Sequence, residues 1–120
     1  MGVYIREYCE GPKVWTCSSC GAHLASQQDH LSDSFHGKCG PAKLFAHAIN
    51  LRRRAPQQVT LTTGQFVVQY THCMDCDEYV GWTYIKSHQR IETYKVGKFI
   101  LEAELISLKK YNNEGFDSHL

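Results

Sequence analysis

Two pairs of closely spaced cysteines constrain this chain more than any other feature. Cys17 and Cys20 form one C-x-x-C motif, Cys73 and Cys76 form a second, and 52 residues separate the motifs. Two intervening residues let one tight turn direct both sulfurs at the same ion, and four thiolates from two turns make the tetrahedral set that structural zinc prefers. The sequence therefore predicts one structural Zn²⁺ ion that holds two distant turns together.

A disulfide framework and a redox dithiol are the alternatives for such motifs. Disulfide frameworks are typical of secreted chains, and the first residues here contain no apolar h-region of a signal peptide. A thioredoxin-like dithiol is a single C-x-x-C at the start of a helix, whereas both motifs here precede segments of loop or strand character. Gly21 and Asp77 follow the two pairs, and both residue types accept the left-handed backbone of a tight turn.

Length and charge limit the classes of protein that fit. The 120 residues carry a formal net charge of +1, so bulk electrostatics does not predict binding to a polyanion or a membrane surface. Four metal thiolates and the free thiols Cys9 and Cys39 suit a reducing compartment. We expect one domain over residues 14–106, preceded by an N-terminal arm over 1–13 and followed by a polar, mobile tail over 107–120.

Aromatic and β-branched residues indicate a mainly β chain. Residues 65–71 and 80–85 are rich in them and flank the second cysteine pair as the strands of a hairpin would. Shorter strands are predicted at 14–16, 59–62 and 98–106.

Three other segments lack a clear strand pattern. The polar, Gly-containing stretch 27–43 is predicted to be a long surface loop. Residues 89–97 are predicted to form a loop or a short helical turn. Helical and strand signals are mixed over 44–51, so periodicity assigns that segment to neither.

The fixed positions between residues 17 and 102 resemble the Yippee family. Besides the two cysteine pairs, the spacing matches the family's signature at Gly40, Leu44, Asn50, Gly64, Gly81, Trp82, Tyr84, Lys95 and Glu102. The run 94–102 is similar to the family's C-terminal run. The two ends of the chain resemble the divergent fifth of the vertebrate yippee-like paralogues.

This resemblance implies a fold and a cellular role. Yippee proteins are similar to the thalidomide-binding domain of cereblon, the Mis18 domain and the B-type methionine sulfoxide reductases. These share a β-tent, in which two antiparallel sheets meet at a steep angle and are pinned by zinc. The resemblance also implies a protein of nucleus and cytoplasm, including centrosome and spindle, linked to the cell cycle. For the fifth-type branch it implies contact with Ran-binding-protein scaffolds of a CTLH-type ubiquitin ligase.

Trp82 and Tyr84 are the candidate ligand face. They alternate on one predicted strand and therefore face the same side of its sheet. By resemblance to cereblon, Trp82 matches one wall of an aromatic cage, whereas the positions aligned with other walls, Thr62 and Val68, are not aromatic. The competing interpretation is that Trp82 is a core side chain, as buried aromatic residues often are.

No residue is predicted to be catalytic. The sulfoxide reductases need a nucleophilic cysteine downstream of the zinc turns, and no cysteine follows Cys76. The basic run 52–54 is the candidate nucleic-acid contact, although such a run is usually a solvated turn. His72 is a candidate to support or replace a metal ligand. The leading hypothesis is a non-enzymatic, zinc-stabilised adaptor that binds proteins; the alternative is a reader of a small ligand or nucleic acid through the face around Trp82.

Overall fold

The computed structural model describes residues 6–111, which form ten strands and three short 3-10 helices. The strands are β1 (Lys13–Cys17), β2 (His23–Ser26), β3 (His30–Gly37), β4 (Gly40–Phe45), β5 (Leu51–Arg53), β6 (Gln57–Leu61), β7 (Gly64–Cys73), β8 (Tyr79–Ser87), β9 (Phe99–Glu102) and β10 (Ile106–Lys110). The 3-10 helices are Gln27–Asp29, Arg90–Lys95 and Ala103–Leu105. Within residues 6–111, none of the helices has the length and apolar character needed to cross a membrane.

The strands pair into two antiparallel sheets. The first sheet has three strands in the order β10-β1-β2. The second has seven strands; six follow the order β3-β4-β9-β8-β7-β5, and β6 also pairs with β7. The mainly β fold of two antiparallel sheets that the sequence and its family resemblance predicted is confirmed.

The hairpin of β7 and β8 runs through the middle of the larger sheet. Its register extends from Phe66 opposite Ser87 to His72 opposite Tyr79, so the predicted hairpin around the second cysteine pair is present. On its other side β8 pairs with β9. A Cβ on Gly81 would lie 1.8 Å from the Ile100 carbonyl oxygen, which explains why a glycine stands where β9 approaches.

The buried side chains form two clusters at different places in the fold. The zinc-end cluster contains two of the paired cysteines and aliphatic and aromatic residues from both sheets: Cys17, Ala22, Leu24, Ala25, Phe45, Cys73, Val80, Leu101 and Ile106. The cavity-end cluster lies within the larger sheet and contains Ala42, Leu44, Phe66, Val68, Trp82, Tyr84 and Ile100.

The stretch 27–43 is not the long loop that the sequence predicted. After one 3-10 turn it forms β3 and most of β4, which pair through to Gly37 opposite Gly40. β3 is the edge strand of its sheet, and none of its residues is fully buried. Because an edge strand can face water on much of its surface, it tolerates the polar residues that made this stretch resemble a loop.

The stretch 107–110 is also a strand, where the sequence predicted the start of a polar tail. β10 pairs with β1 over its whole length, from Cys17 opposite Ile106 to Lys13 opposite Lys110. Four of its five residues are exposed, which explains the polar composition. The predicted strand over 98–106 is interrupted after Glu102 by the 3-10 helix. The first five residues of the predicted arm and residues 112–120 of the predicted tail lie outside the described residues.

The two remaining segments, 89–97 and 44–51, form different structures. Residues 89–97 contain the short 3-10 helix Arg90–Lys95, as predicted. The ambiguous segment 44–51 is the end of β4, an irregular connection and the start of β5.

Candidate metal centre and ligand cavity

The four paired cysteines lie together in space. The Sγ atoms of Cys17 and Cys76 are 3.7 Å apart, those of Cys20 and Cys73 are 3.5 Å apart, and all four lie within 4.8 Å of one another. Sulfurs arranged tetrahedrally at about 2.3 Å from a zinc ion are about 3.8 Å from each other. The donor set and the spacing of the sulfurs therefore both fit Zn²⁺.

The two cysteine turns have the same backbone structure. In the first, the Cys17 N–H donates to the Ala22 carbonyl over 2.9 Å, and the Gly21 N–H donates to the Cys17 carbonyl over 2.7 Å. In the second, the equivalent two bonds at Cys73 are each 2.8 Å long. Gly21 has a φ of 82° and Asp77 has a φ of 65°, which is the left-handed backbone predicted at both positions.

The sulfur cluster joins the two sheets. Cys17 is the last residue of β1 in the three-stranded sheet, and Cys73 is the last residue of β7 in the seven-stranded sheet. The first turn is also held from outside, because the Ser18 N–H donates to the Leu105 carbonyl over 3.0 Å. A cation bound here would fix the sheets relative to each other.

The protein surroundings alone favour the protonated thiol at two of the four cysteines. Burial raises the pKa of Cys17, and desolvation of its sulfur raises the pKa of Cys20 to about 12. At Cys76 burial also acts to raise the pKa. Hydrogen bonds from the Glu78 backbone and the neighbouring thiols outweigh it, so the pKa of Cys76 is lowered. A divalent cation stabilises all four thiolates, so metal binding and proton release are coupled.

Asn50 connects the two cysteine turns and the N-terminal segment. Its buried side-chain amide donates to the carbonyls of Glu7 and His23 over 2.8 and 2.7 Å, and its Oδ1 accepts the Glu7 N–H over 2.9 Å. Its own carbonyl accepts the Met74 N–H over 2.8 Å. The φ of Asn50 is 57°, a left-handed conformation that asparagine tolerates better than most residues. In the sequence, only the family signature pointed to Asn50.

The other candidate metal or thiol residues stay outside the cluster. His72 contributes no atom to the four-sulfur group; its Nδ1 lies 3.0 Å from the Asp77 carbonyl oxygen, so it contacts the second turn. Cys9 is half-buried and Cys39 is exposed, and neither joins the four.

The basic run 52–54 is engaged by its neighbours. Arg52 and Arg54 both approach the carboxylate of Asp77, at 2.7 and 3.9 Å. The guanidinium of Arg53 lies 5.3 Å from the centre of the Phe99 ring. These exposed contacts use part of the positive charge on which a nucleic-acid interface would depend.

Trp82 and Tyr84 are core side chains that also border a cavity. Both belong to the cavity-end cluster, with 5% and 2% of their surface exposed. Both line a cavity of about 370 Å³, and Trp82 also lines a neighbouring cavity of about 190 Å³. Both side chains therefore belong to the core, and the ligand face around them stays a prediction.

Aromatic walls come from segments that the sequence did not assign to the site. Thr62 lines the larger cavity and Val68 the smaller one, and neither provides a ring. Phe35 on β3 and Tyr94 on the second 3-10 helix line the larger cavity instead. Phe35 was missed because its segment was predicted to be a loop.

Lys95 is a buried cation at the edge of this cavity. Its ammonium donates to Thr63 Oγ1 over 2.9 Å and forms an ion pair with Glu92 Oε1 at 2.7 Å. It also lies 5.0–5.8 Å from the centres of four aromatic rings, those of Phe35, Phe66, Tyr84 and Tyr94. Lys95 is thus stabilised by one carboxylate, one hydroxyl and several ring faces.

The two indole N–H groups of the chain differ in their partners. Trp15 Nε1 donates to Gln27 Oε1 over 2.6 Å. Trp82 Nε1 is buried and has no hydrogen-bond acceptor of normal geometry. It does lie near the Tyr84 hydroxyl: burial raises the pKa of Tyr84 to about 12, and the indole N–H partly opposes that rise.

Glu102 fixes the β3–β4 turn beside the cavities. Its fully buried carboxylate accepts the backbone N–H groups of Lys38 and Cys39, at 2.7 and 3.0 Å, and the Tyr79 hydroxyl at 2.6 Å. Burial, followed by this contact with Glu102, raises the pKa of Tyr79 well above its usual range. The turn leaves no space for a side chain at Gly37, where a Cβ would lie 2.4 Å from the carboxylate.

Two antiparallel sheets joined by a four-cysteine centre define a zinc-binding β domain. A family model described as "Yippee zinc-binding/DNA-binding /Mis18, centromere assembly" matches residues 13–117. The chain belongs to the Yippee family.

Similar proteins come from distant eukaryotes. A yippee-like protein of Schizosaccharomyces pombe is 33% identical over 117 residues, covering 98% of this chain and 88% of the relative. One from Arabidopsis thaliana is 37% identical over 92 residues, covering 77% and 87%. The human protein yippee-like 3 is 36% identical over 88 residues, covering 73% and 74%.

A solved structure shares the fold. The crystal structure of a Mis18 "Yippee-like" domain superposes with a TM-score of 0.66 at 14% identity, covering 86% of this chain and 100% of that domain.

Proposed function

We propose that this protein is a non-enzymatic adaptor that binds other proteins and is stabilised by one structural Zn²⁺ ion. Cys17, Cys20, Cys73 and Cys76 supply four sulfurs within 4.8 Å of one another. A tetrahedral site filled by four protein sulfurs leaves no open position for water or substrate. The metal then acts on the fold, and the function lies on the surface that the fold presents.

The observation that carries the adaptor proposal is a run of exposed apolar side chains over residues 85–96, here called the 85–96 face. Ile91 is 82% exposed, Tyr94 54%, Ile85 40% and Val96 37%. The 3-10 helix in this segment packs on β8. Several large apolar side chains exposed in one segment are typical of protein contact sites.

The family resemblance supplies the partner class and the cellular setting of this proposal. We assign the 85–96 face to a Ran-binding-protein scaffold of a CTLH-type ubiquitin ligase. The protein then works in the nucleus and the cytoplasm, including the centrosome and the spindle. The family description names centromere assembly, which supports a role connected with cell division.

A pull-down under reducing conditions tests the adaptor proposal. Ile91→Asp replaces the most exposed of these four apolar side chains with a charge and is expected to abolish capture of the scaffold. Leu31→Asp is the matched control, because Leu31 is 50% exposed on β3 outside the face. Trp82→Ala is expected to leave capture intact if its melting shows that the fold survives. Equal capture by wild type and Ile91→Asp would contradict the proposal.

A small-ligand reader is the second candidate function. The specific observation in its favour is a cavity of about 370 Å³ whose lining includes the rings of Phe35, Trp82, Tyr84 and Tyr94. Clefts lined by aromatic side chains and a few polar groups are typical of small-ligand sites. A reader is expected to lose its ligand in Trp82→Ala.

Nucleic-acid reading is the other form of this alternative, and the family description also mentions DNA binding. It predicts binding that falls steeply with salt and weakens when Arg52, Arg53 and Arg54 are neutralised together. The contacts of these arginines with Asp77 and Phe99 favour the small-ligand form.

A further inference from the structure

We infer that a cavity at the start of β1 is the docking site for the chain's own residues 115–117, with the Phe116 ring in the cavity and the Asp117 carboxylate beside Lys13. This cavity, here called the β1 cavity, has a volume of about 290 Å³. It shares no lining residue with the cavities at Trp82 and lies outside the 85–96 face, so the inference goes beyond both functions proposed above. The residues that line it are Gly11, Pro12, Lys13, Ser26, Gln27 and Gln28.

The β1 cavity lies at the end of the three-stranded sheet that is opposite the metal centre. β1 runs from Lys13, which lines the cavity, to Cys17, which belongs to the four-sulfur group. At the cavity end of the strand, Lys13 lies directly opposite Lys110 of β10. Like charges in directly opposite positions destabilise a strand pair. An acidic group beside Lys13 would offset that repulsion.

The size and charge of the β1 cavity suit one aromatic side chain followed by a carboxylate. Its volume lies at the lower limit of the roughly 300–1,000 Å³ of small-molecule sites, so a single ring fits it better than a complete small molecule does. Most of its wall is apolar, as the carbon stems of long polar side chains allow. Among the described residues that line it, Lys13 is the one that carries a charge.

Residues 112–120 begin beside the β1 cavity. The last described residue, Tyr111, is fixed at two points: its N–H donates to the Pro12 carbonyl over 2.6 Å, and its hydroxyl lies 3.0 Å from His23 Nε2. Phe116 follows five residues later, and five residues span up to about 17 Å. Three of the four residues between them are asparagine or glycine, types that favour turns. Phe116 can therefore reach the cavity that Pro12 lines.

Residues 1–5, which also lie outside the described residues, start at the wrong end of the molecule to fill this cavity. They precede Arg6, whose guanidinium pairs with the carboxylate of Asp75. Asp75 lies between the two cysteines of the second turn, so this segment leaves the described structure at the metal centre. Residues 112–120 leave it at a residue that bonds to the cavity wall.

The sequence of the segment contains the two groups that the β1 cavity requires. Phe116 is the only Phe, Tyr or Trp in residues 112–120, and Asp117 follows it directly. The family model matches residues 13–117, so both residues lie within the part of the chain that the family shares. A docked segment would close the end of the three-stranded sheet that a metal ion does not hold.

NMR spectroscopy of the zinc-loaded full chain, labelled with 13C and 15N, tests the assignment. The ring protons of Phe116 are expected to give NOEs to side-chain protons of Pro12 and Gln28. Phe116→Ala is expected to remove the ring current and so to shift the backbone amide signals of Lys13 and Gln28. His119→Ala, a change in the same segment but outside residues 115–117, is the matched control and is expected to leave those signals unchanged.

A complementation experiment separates docking from an effect on folding. The Phe116→Ala chain is titrated with a synthetic peptide of residues 112–120, which is expected to return the Lys13 and Gln28 signals to their wild-type positions. The same peptide carrying Phe116→Ala should bind at least tenfold more weakly. A peptide carrying Asp117→Asn should also bind more weakly, and that difference should disappear when Lys13→Met is added to the chain.

Three results would each overturn the assignment to residues 115–117. If Phe116 gives no NOE to the β1 cavity and Phe116→Ala leaves the cavity signals in place, the segment does not dock there. If the NOEs arise only between a labelled and an unlabelled chain, the occupant is a second copy of the protein. If the cavity signals ignore Phe116→Ala but shift on addition of a purified Ran-binding-protein scaffold, the cavity belongs to a partner.

Discussion

The zinc end and the cavity end of this molecule, which surround the two buried clusters, are stabilised by different chemistry. Each must hold together segments that are far apart in sequence. At the zinc end, four sulfurs from two turns converge within 4.8 Å, and a zinc ion bound by them would hold the turns together. At the cavity end, two buried charged side chains, Glu102 and Lys95, bind turns and helices through hydrogen bonds and ion pairing.

The two ends differ in the number of separate interactions that stabilise them. One metal ion can contribute folding free energy on the order of 10 kcal/mol, so the zinc end depends on a single event. A buried carboxylate or ammonium contributes through several contacts, and its removal leaves each partner unsatisfied. Loss of one zinc ligand should therefore remove most of the stability that the zinc end contributes. A single substitution at the cavity end should remove only the contribution of that side chain.

The largest effect is expected from a zinc ligand. Cys73→Ser removes one of the four sulfurs and should cost on the order of 10 kcal/mol, which unfolds a domain of this size. Elemental analysis of the purified protein should give one zinc per chain for wild type and much less for the variant. Cys39→Ser, at an exposed thiol outside the cluster, should keep both zinc and melting temperature. Wild-type melting that is unchanged by chelation would contradict the role of the metal.

The next largest effect is expected at the cavity end. Glu102→Ala leaves two backbone N–H groups and the Tyr79 hydroxyl without their acceptor, which should cost about 3 kcal/mol. Urea denaturation of the zinc-loaded protein measures the loss. Glu104→Ala, at the exposed glutamate two residues later, should change stability by less than about 0.5 kcal/mol. Equal losses in the two variants would mean that the buried carboxylate does not hold the β3–β4 turn.

A smaller loss is expected from the link between the two cysteine turns. Asn50→Ala removes three side-chain hydrogen bonds and puts alanine at a φ of 57°, which together should cost about 2 kcal/mol. Asn50→Gly loses the same bonds but accepts the backbone, so denaturation should find it more stable than Asn50→Ala. If the glycine variant is the less stable of the two, the left-handed conformation of Asn50 does not contribute.

The same contrast explains what the sequence could predict. A metal site requires fixed residue types at fixed spacing, so Cys17, Cys20, Cys73 and Cys76 were recognisable without any knowledge of the fold, as were the left-handed positions that follow them. The hairpin around the second pair was equally visible, since both of its strands carry dense aromatic and β-branched patterns.

The cavity end was hidden because its residues have no common pattern. Phe35 lies on a polar edge strand, Tyr94 on a 3-10 helix, and Lys95 is a lysine that is 2% exposed. A charged residue in a polar segment is normally assigned to the surface. Only the pairing of β3 with β4, and of β8 with β7 and β9, brings these side chains to one place.

The smallest effect should come from His23, which lies beside the zinc end and holds the N-terminal segment. Its Nδ1 accepts the Cys9 N–H over 3.0 Å, and burial, with the positive charge of Lys109, lowers the pKa of His23 below its ordinary value. The unfolded imidazole takes up a proton below a pH of about 6.5, whereas the folded one resists it. Stability should therefore fall as the pH drops from about 7 through 6.

The comparison between variants isolates this histidine from proton-driven metal release, because zinc loss acts equally on all of them. In urea denaturation at pH 7.5 and pH 6, His23→Gln should lose less stability on acidification than wild type does. His47→Gln, at an exposed histidine, should retain the wild-type difference. If His23→Gln keeps the full wild-type difference, protonation of His23 does not couple to folding.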